Sequence, residues 1–134
     1  MGWIFAQRTG RMYHDGELFA VGYSGRYMGK NNPLMQNVKE TGPLPVGIYR
    51  IEDAYTHPHL GPLTMNLKPD PANEMFDRSE FRIHGDSIES PGFASKGCIV
   101  LNHGYRMAIN DAARSGDRLL EVVEDYRVRE GLIT

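Results

Sequence analysis

Cys98 is the single cysteine of this 134-residue chain, and His84 is one of its five histidines. Both lie in "FRIHGDSIESPGFASKGCIVLNHG", residues 81–104, with Gly85 directly after the histidine and Gly97 directly before the cysteine. A thiol attacks as thiolate, so it needs a base or a positive field nearby to ionise close to neutral pH. Imidazole suits that task because it titrates in the working range. The pair reads as a candidate nucleophile and general base. Gly97 would let a substrate carbonyl approach the backbone, and the amides of Gly97 and Cys98 are candidate donors to a developing oxyanion. The opposing reading is an inert core thiol, because free cysteine is among the most buried residue types and one Cys–His spacing is a weak signal. Two details weigh toward chemistry. A glycine in front of a core cysteine serves no packing purpose, and a core-facing histidine would sit within apolar alternation rather than before Gly85.

Other chemistries have thinner support. His57 and His59 straddle a proline in "HPH" without a nearby cysteine or acidic ligand, so they read as solvated turn histidines. Cys98 and His103 lack the paired spacing of a structural zinc site. "GRYMGK" lacks the preceding strand and the second half of a phosphate loop. Neither a metal site nor a cofactor is expected.

The elements that must position the pair are short and β-rich. Fifteen glycines and eight prolines divide the chain into small pieces. "WIFAQR", "RMYH" and "ELFAVGY" are separated by "TG" and "DG", dipeptides that supply the positive φ of hairpin turns, which predicts a three-stranded meander. "SGRYMGKNNP" reads as a loop. A strand starts at Ile48, "THPHLGP" is a turn, "LTMNLK" a further strand and "PDPANEMFDRS" a polar connection. In "EFRIHG", Phe81 and Ile83 share one face and Arg82 and His84 the other, so His84 is expected to point out of the core. "CIVL" is another strand. A helix follows, with Asn102 as its cap, a stripe of Tyr105, Ala108, Ile109 and Ala112, and a stop at Gly116. "RLLEVVE" closes as a strand.

Length and balance bound the rest. The chain fits a single domain, residues 1–134, large enough for a real core. Fifteen basic residues against 17 acidic ones, without blocks, leave no electrostatic footprint for nucleic acid. A lone cysteine cannot form an intramolecular disulfide. "MGWIFAQRTGRMYHDGELF" holds no apolar run long enough for a signal-peptide core or a membrane span. Ala6 stands where a myristoylation signal wants Ser or Thr. The expectation is a protein made in the cytoplasm without a signal peptide and without membrane insertion.

"IHGDSIESPGFASKGCIVL" resembles the active-site signature of YkuD-like L,D-transpeptidases: His-Gly, a variable loop, then Ser-x-Gly-Cys and an apolar strand. It is similar above all to the short branch found among type VI secretion effectors that attack peptidoglycan. "GKNNPLMQNVKETGPLPVGIYRI" (29–51), "MNLKP" (65–69) and "RSEFRIHGD" (78–86) carry the same likeness, so it covers much of 29–101. The resemblance implies a mostly β (α+β) fold, a YkuD-like sandwich or barrel-like sheet with one principal helix after the catalytic strand. It implies that Cys98, activated by His84, attacks the L-centre carbonyl of diaminopimelate in a tetrapeptide stem. D-Alanine leaves, and water or an amine resolves the thioester. It further implies that the Gly85 carbonyl orients the imidazole and that Ser95 shapes the turn or binds substrate. The implied partners are peptidoglycan stems, a secretion machinery delivering the protein to a target cell's periplasm, and a cognate immunity protein.

Two positions depart from the wider family. Lys96 replaces a second histidine two residues before the cysteine, and Val100 stands where Arg or Asn is frequent. Lys96 and Arg82 are candidates to hold a stem carboxylate. Two alternatives stay open at this point. One is another cell-wall cysteine hydrolase, such as an NlpC/P60-like endopeptidase or a phage lysis module. There the cysteine opens a helix and the histidine follows it in sequence. The other is a non-enzymatic cell-wall binding domain on the same scaffold.

Overall fold

The computed structural model describes residues 2–126. Among them ten strands form one sheet. β1 (Trp3–Ala6), β2 (Arg11–His14) and β3 (Glu17–Val21) make the expected antiparallel meander. Its turns run through Gly10 and Gly16, both at positive φ, as the "TG" and "DG" dipeptides require. β4 (Tyr23–Ser24) follows after one residue. Two short 3-10 turns, Tyr27–Gly29 and Pro33–Met35, punctuate the predicted loop. Then come β5 (Gly47–Ile51), β6 (Tyr55–His57), β7 (Gly61–Pro69), β8 (Arg82–His84), β9 (Ile99–Val100), helix α1 (His103–Arg114) and β10 (Leu119–Val123).

The strand order is β3-β2-β1-β10-β5-β7-β8-β9-β4, with β6 paired to β7 off that path. β3 and β4 end the path yet are consecutive in the chain, joined at Gly22, so the sheet curls into a nearly closed barrel. Two contacts are parallel, β1 with β10 and β8 with β9; the latter pairs Ile83 with Ile99 and His84 with Val100. The fold is the mostly β, barrel-like architecture with one helix after the cysteine strand. Phe5, Met12, Tyr49, Met65, Ile83 and Leu120 are among the side chains filling its interior.

Three local expectations change. The "TH" that opens the segment read as a turn belongs to a strand, β6, which folds back on β7 as a hairpin. The buried face of α1 is Arg106, Ile109 and Ala113, whereas Tyr105 and Ala108 are exposed and Ala112 is half-buried. A buried arginine takes the place the apolar stripe leaves open, which rotates the helix from its expected setting. Asn102 occupies the cap position in extended conformation, without a side-chain cap bond.

Candidate active site

β8 and β9 are three and two residues long, too short for their ladders alone to define the ends that carry chemistry. His84 closes β8, and Cys98 stands directly before β9 on the neighbouring parallel strand. Both line one cleft of about 570 Å³, together with Arg78, Arg82, Lys96, Phe81 and, from the β6–β7 hairpin, His57 and Leu60.

His84 lies opposite Ile83 as alternation requires, yet it is only 2% exposed. The expectation that it points away from buried surroundings is therefore corrected. The Arg106 guanidinium lies against the adjacent Gly85. The imidazole Nδ1 is 2.7 Å from the Gly85 carbonyl oxygen. A carbonyl only accepts, so Nδ1 carries the proton and Nε2 is left as the basic nitrogen of the neutral ring. Burial pushes the imidazole below the ordinary histidine range; the Gly85 bond works against this, and the charges of Arg106 and Arg82 add to it.

Cys98 is 9% exposed, and its sulfur accepts the Arg82 backbone N–H at 3.3 Å. Burial pushes the thiol up, while that N–H and the positive charges of Arg82 and Arg78 pull it down. The two directions agree: in the free site the proton belongs on sulfur and the imidazole is neutral.

The turn before the cysteine is locked from within. Ser95 is fully buried, and its Oγ accepts the Gly25 and Gly97 amides at 2.8 and 3.1 Å while donating to the Cys98 carbonyl. One donor and two lone pairs are thereby used up, so Ser95 shapes the turn and has no capacity left for substrate. Since the Gly97 amide points back at Ser95, it is not turned toward the cleft as an oxyanion donor, and its carbonyl accepts Ser24 Oγ at 2.8 Å. Lys96 stays exposed on the rim. Arg82 is half-buried and braced: its Nε donates to Tyr55 Oη and Asn66 Oδ1, both at 3.2 Å, and its Nη1 to the Glu80 carbonyl. Val100 is buried in the β9 ladder.

Two arginines that sequence reasoning passed over hold this arrangement. Arg78 is buried and donates to the carbonyls of Gln36, Pro43, Gly42 and Lys96, with its guanidinium 5.1 Å from the Phe81 ring centre. Arg106 is equally buried and donates to the carbonyls of Leu101, Pro62 and Leu63. Each explains a glycine. A Cβ at Gly97 would lie 2.6 Å from Arg78 Nη2 and from Phe81, and one at Gly85 would lie 2.7 Å from Arg106 Nη2. The glycines flanking the histidine and cysteine are thus where two buried guanidinium groups meet the backbone. Asp86 is engaged elsewhere, accepting from Tyr23 Oη at 2.6 Å and from the Ser87 and Gly92 amides, which ties down the loop between β8 and β9.

A family model, the Tlde1 domain, matches residues 19–124, which is most of the chain. The chain belongs to the Tlde1 domain family. That family is the type VI secretion L,D-transpeptidase effector family. No curated protein and no solved structure matches the chain. The match reaches well beyond 29–101, taking in the end of β3 and all of β4, α1 and β10 of this Tlde1 domain. Among the described residues, no helix is long and apolar enough to cross a membrane.

Away from the cleft, His14, Asp15 and Asp117 bring possible ligand atoms within 4.8 Å of one another, a grouping the sequence reading did not anticipate. His14 Nε2 is 2.6 Å from Asp117 Oδ2 and its ring stacks on Trp3 at 3.8 Å. Those contacts already give the imidazole a structural role in joining β1, β2 and the start of β10.

Proposed function

We propose that this Tlde1 domain is a cysteine L,D-transpeptidase and L,D-carboxypeptidase acting on peptidoglycan tetrapeptide stems. The observation that carries the reading is the His84–Gly85 bond in the cleft that Cys98 also lines, which leaves Nε2 as the basic nitrogen of the ring. As Sγ attacks the carbonyl of the L-centre of diaminopimelate, the thiol proton passes to Nε2. The Arg82 N–H, already donating to Sγ, and the charges of Arg82 and Arg78 steady the sulfur as it becomes anionic. The Cys98 amide, rather than that of Gly97, is the backbone donor for the oxyanion. Collapse breaks the C–N bond, D-alanine leaves with the proton from the imidazolium, and a thioester remains. Water, again deprotonated by His84, gives a tripeptide; an amine gives exchange or a cross-link.

Lys96 on the rim offers a point charge to a stem carboxylate, while Arg82 acts mainly through its backbone N–H and its brace. The placement of Cys98 ahead of a strand, with His84 earlier in the chain, supports this order over that of NlpC/P60-like hydrolases. As a type VI effector, the protein would act in the periplasm of a target cell, and its producer would hold an immunity protein that occupies the cleft.

The test is mass spectrometry of disaccharide-tetrapeptide incubated with wild type, Cys98→Ala and His84→Ala, with and without D-methionine. Loss of D-alanine, or its replacement by D-methionine, is expected with wild type alone. The two variants should fall by at least about a thousandfold, the scale of losing a nucleophile or its base. A tetrapeptide untouched by folded wild-type protein overturns the reading.

A further inference from the structure

The β6–β7 hairpin carries a histidine that the acyl-transfer chemistry does not use. His57 ends β6, is half-buried, and lines the same cleft as His84 and Cys98. Its Nδ1 accepts two backbone amides of its own turn, His59 at 3.0 Å and Leu60 at 3.1 Å. A backbone N–H can only donate, so this Nδ1 carries no proton and the neutral ring must hold its proton on Nε2. The tautomer is the reverse of that at His84, where Nδ1 is the donor. One imidazole in the cleft thus presents a base and the other an N–H.

The hairpin is not left to wander. Tyr55 Oη donates to Asn66 Oδ1 at 2.8 Å across it, and the Arg82 guanidinium ties both groups to β8. His57 is therefore held at a set place relative to the strand that carries His84. Partial burial and the positive charge of Arg82 push its pKa down, which keeps the ring neutral and its tautomer defined at neutral pH.

We propose that His57 is a substrate-contacting residue, whose Nε2–H donates a hydrogen bond to a carbonyl or carboxylate oxygen of the stem peptide in the cleft. This rests on the acyl-transfer reading above. The bland alternative is that His57 merely staples its turn, and the two roles use opposite edges of the ring. Asparagine at 57 keeps an acceptor at the position of Nδ1, as in an Asx turn, but has no donor where Nε2 was. Glutamine can extend an amide N–H toward the Nε2 position.

The experiment measures D-alanine release from disaccharide-tetrapeptide by wild type, His57→Asn and His57→Gln, separating kcat from KM. Iodoacetamide alkylation of Cys98 is followed in parallel as a measure of the His84–Cys98 pair that needs no stem. The expected result is a KM raised about tenfold in His57→Asn, the scale of one lost hydrogen bond. His57→Gln should recover part of that loss, and alkylation should proceed at the wild-type rate in both. Wild-type kinetics in His57→Asn, or a defect that also slows alkylation, overturns the proposal while the acyl-transfer reading stands. A wild-type protein that leaves the tetrapeptide intact removes both.

Discussion

The two sides of this barrel are held together by different means. On the meander side, β1, β2, β3 and β10 are strands of four or five residues, their ladders interrupted by one bulge between Met12 and Tyr13, and Trp3, Phe5, Met12, Leu120 and Val122 bury their side chains behind them. On the cleft side, β8 and β9 together span only five residues, and the buried groups include Arg78, Arg106, His84, Ser95 and Ser24. There, side chains donating to backbone carbonyls do the positioning that long ladders do elsewhere. The difference teaches where precision comes from. Apolar burial sets overall stability but is non-directional, whereas hydrogen bonds from a planar guanidinium fix where a loop runs.

Breaking one anchor on each side separates those roles. Arg78→Leu removes bonds to four carbonyls, two of them in buried surroundings and two in part-buried ones. At about 1–3 kcal/mol for each buried acceptor left unpaired, the loss should be at least about 2 kcal/mol, a large share of a small domain's stability. Met12→Ala, at a fully buried position on the meander side, should cost a similar amount, about 2–5 kcal/mol. Denaturant unfolding paired with D-alanine release per folded molecule distinguishes them. Met12→Ala should keep its kcat/KM and Arg78→Leu should lose at least tenfold. Equal activity in the two variants would mean that the loop before Cys98 does not depend on its arginine.

The same contrast decides how much could be read beforehand. The meander was legible because its short aromatic and branched runs and its "TG" and "DG" turns are local signals, and the turns are realised in place. The candidate pair was legible too, since a cysteine and a histidine flanked by glycines is an unusual local pattern. What those glycines answer to was not legible. Arg78 and Arg106 look like surface arginines in one dimension, and only the fold turns them inward against Gly97 and Gly85. Nor was the bond between Ser95 and the Gly97 amide legible, since it closes only when the turn forms. His57 read as a turn histidine, which it is on one edge; that its other edge belongs to a ring lining the cleft depends on a hairpin folding over β8.

A smaller perturbation sharpens the point at the cysteine itself. Ser95→Ala leaves the Gly25 and Gly97 amides and the Cys98 carbonyl without their hydroxyl partner. Because neighbouring backbone can relax, the stability cost should be about 1–3 kcal/mol, at or below that of Arg78→Leu. The change lies against the reacting residue, so kcat should fall several-fold with KM little altered. A variant with wild-type kcat would show that Arg78, acting through the Lys96 carbonyl, suffices to hold the turn.

The smallest expected effect concerns protons rather than folding. His84 must be neutral to accept the thiol proton, so kcat/KM should fall as pH drops through the pKa of this ring. Burial lowers that pKa from the ordinary 6.5, which places the acid limb below 6.5. The linkage has the same sign: the unfolded ring binds its proton first, so the stability tied to neutral His84 is present above about 6.5 and lost as pH falls through the lowered value. Asp86 is a minor negative influence that raises the ring's pKa, so Asp86→Asn should move the acid limb slightly further down. A kcat/KM profile of the two proteins with disaccharide-tetrapeptide measures both. An acid limb above 6.5 would mean that His84 is held as imidazolium by a thiolate, a preformed ion pair. In that case the charges of Arg78 and Arg82 would outweigh burial at the sulfur, and the cleft side would owe its chemistry to its arginines as well as its shape.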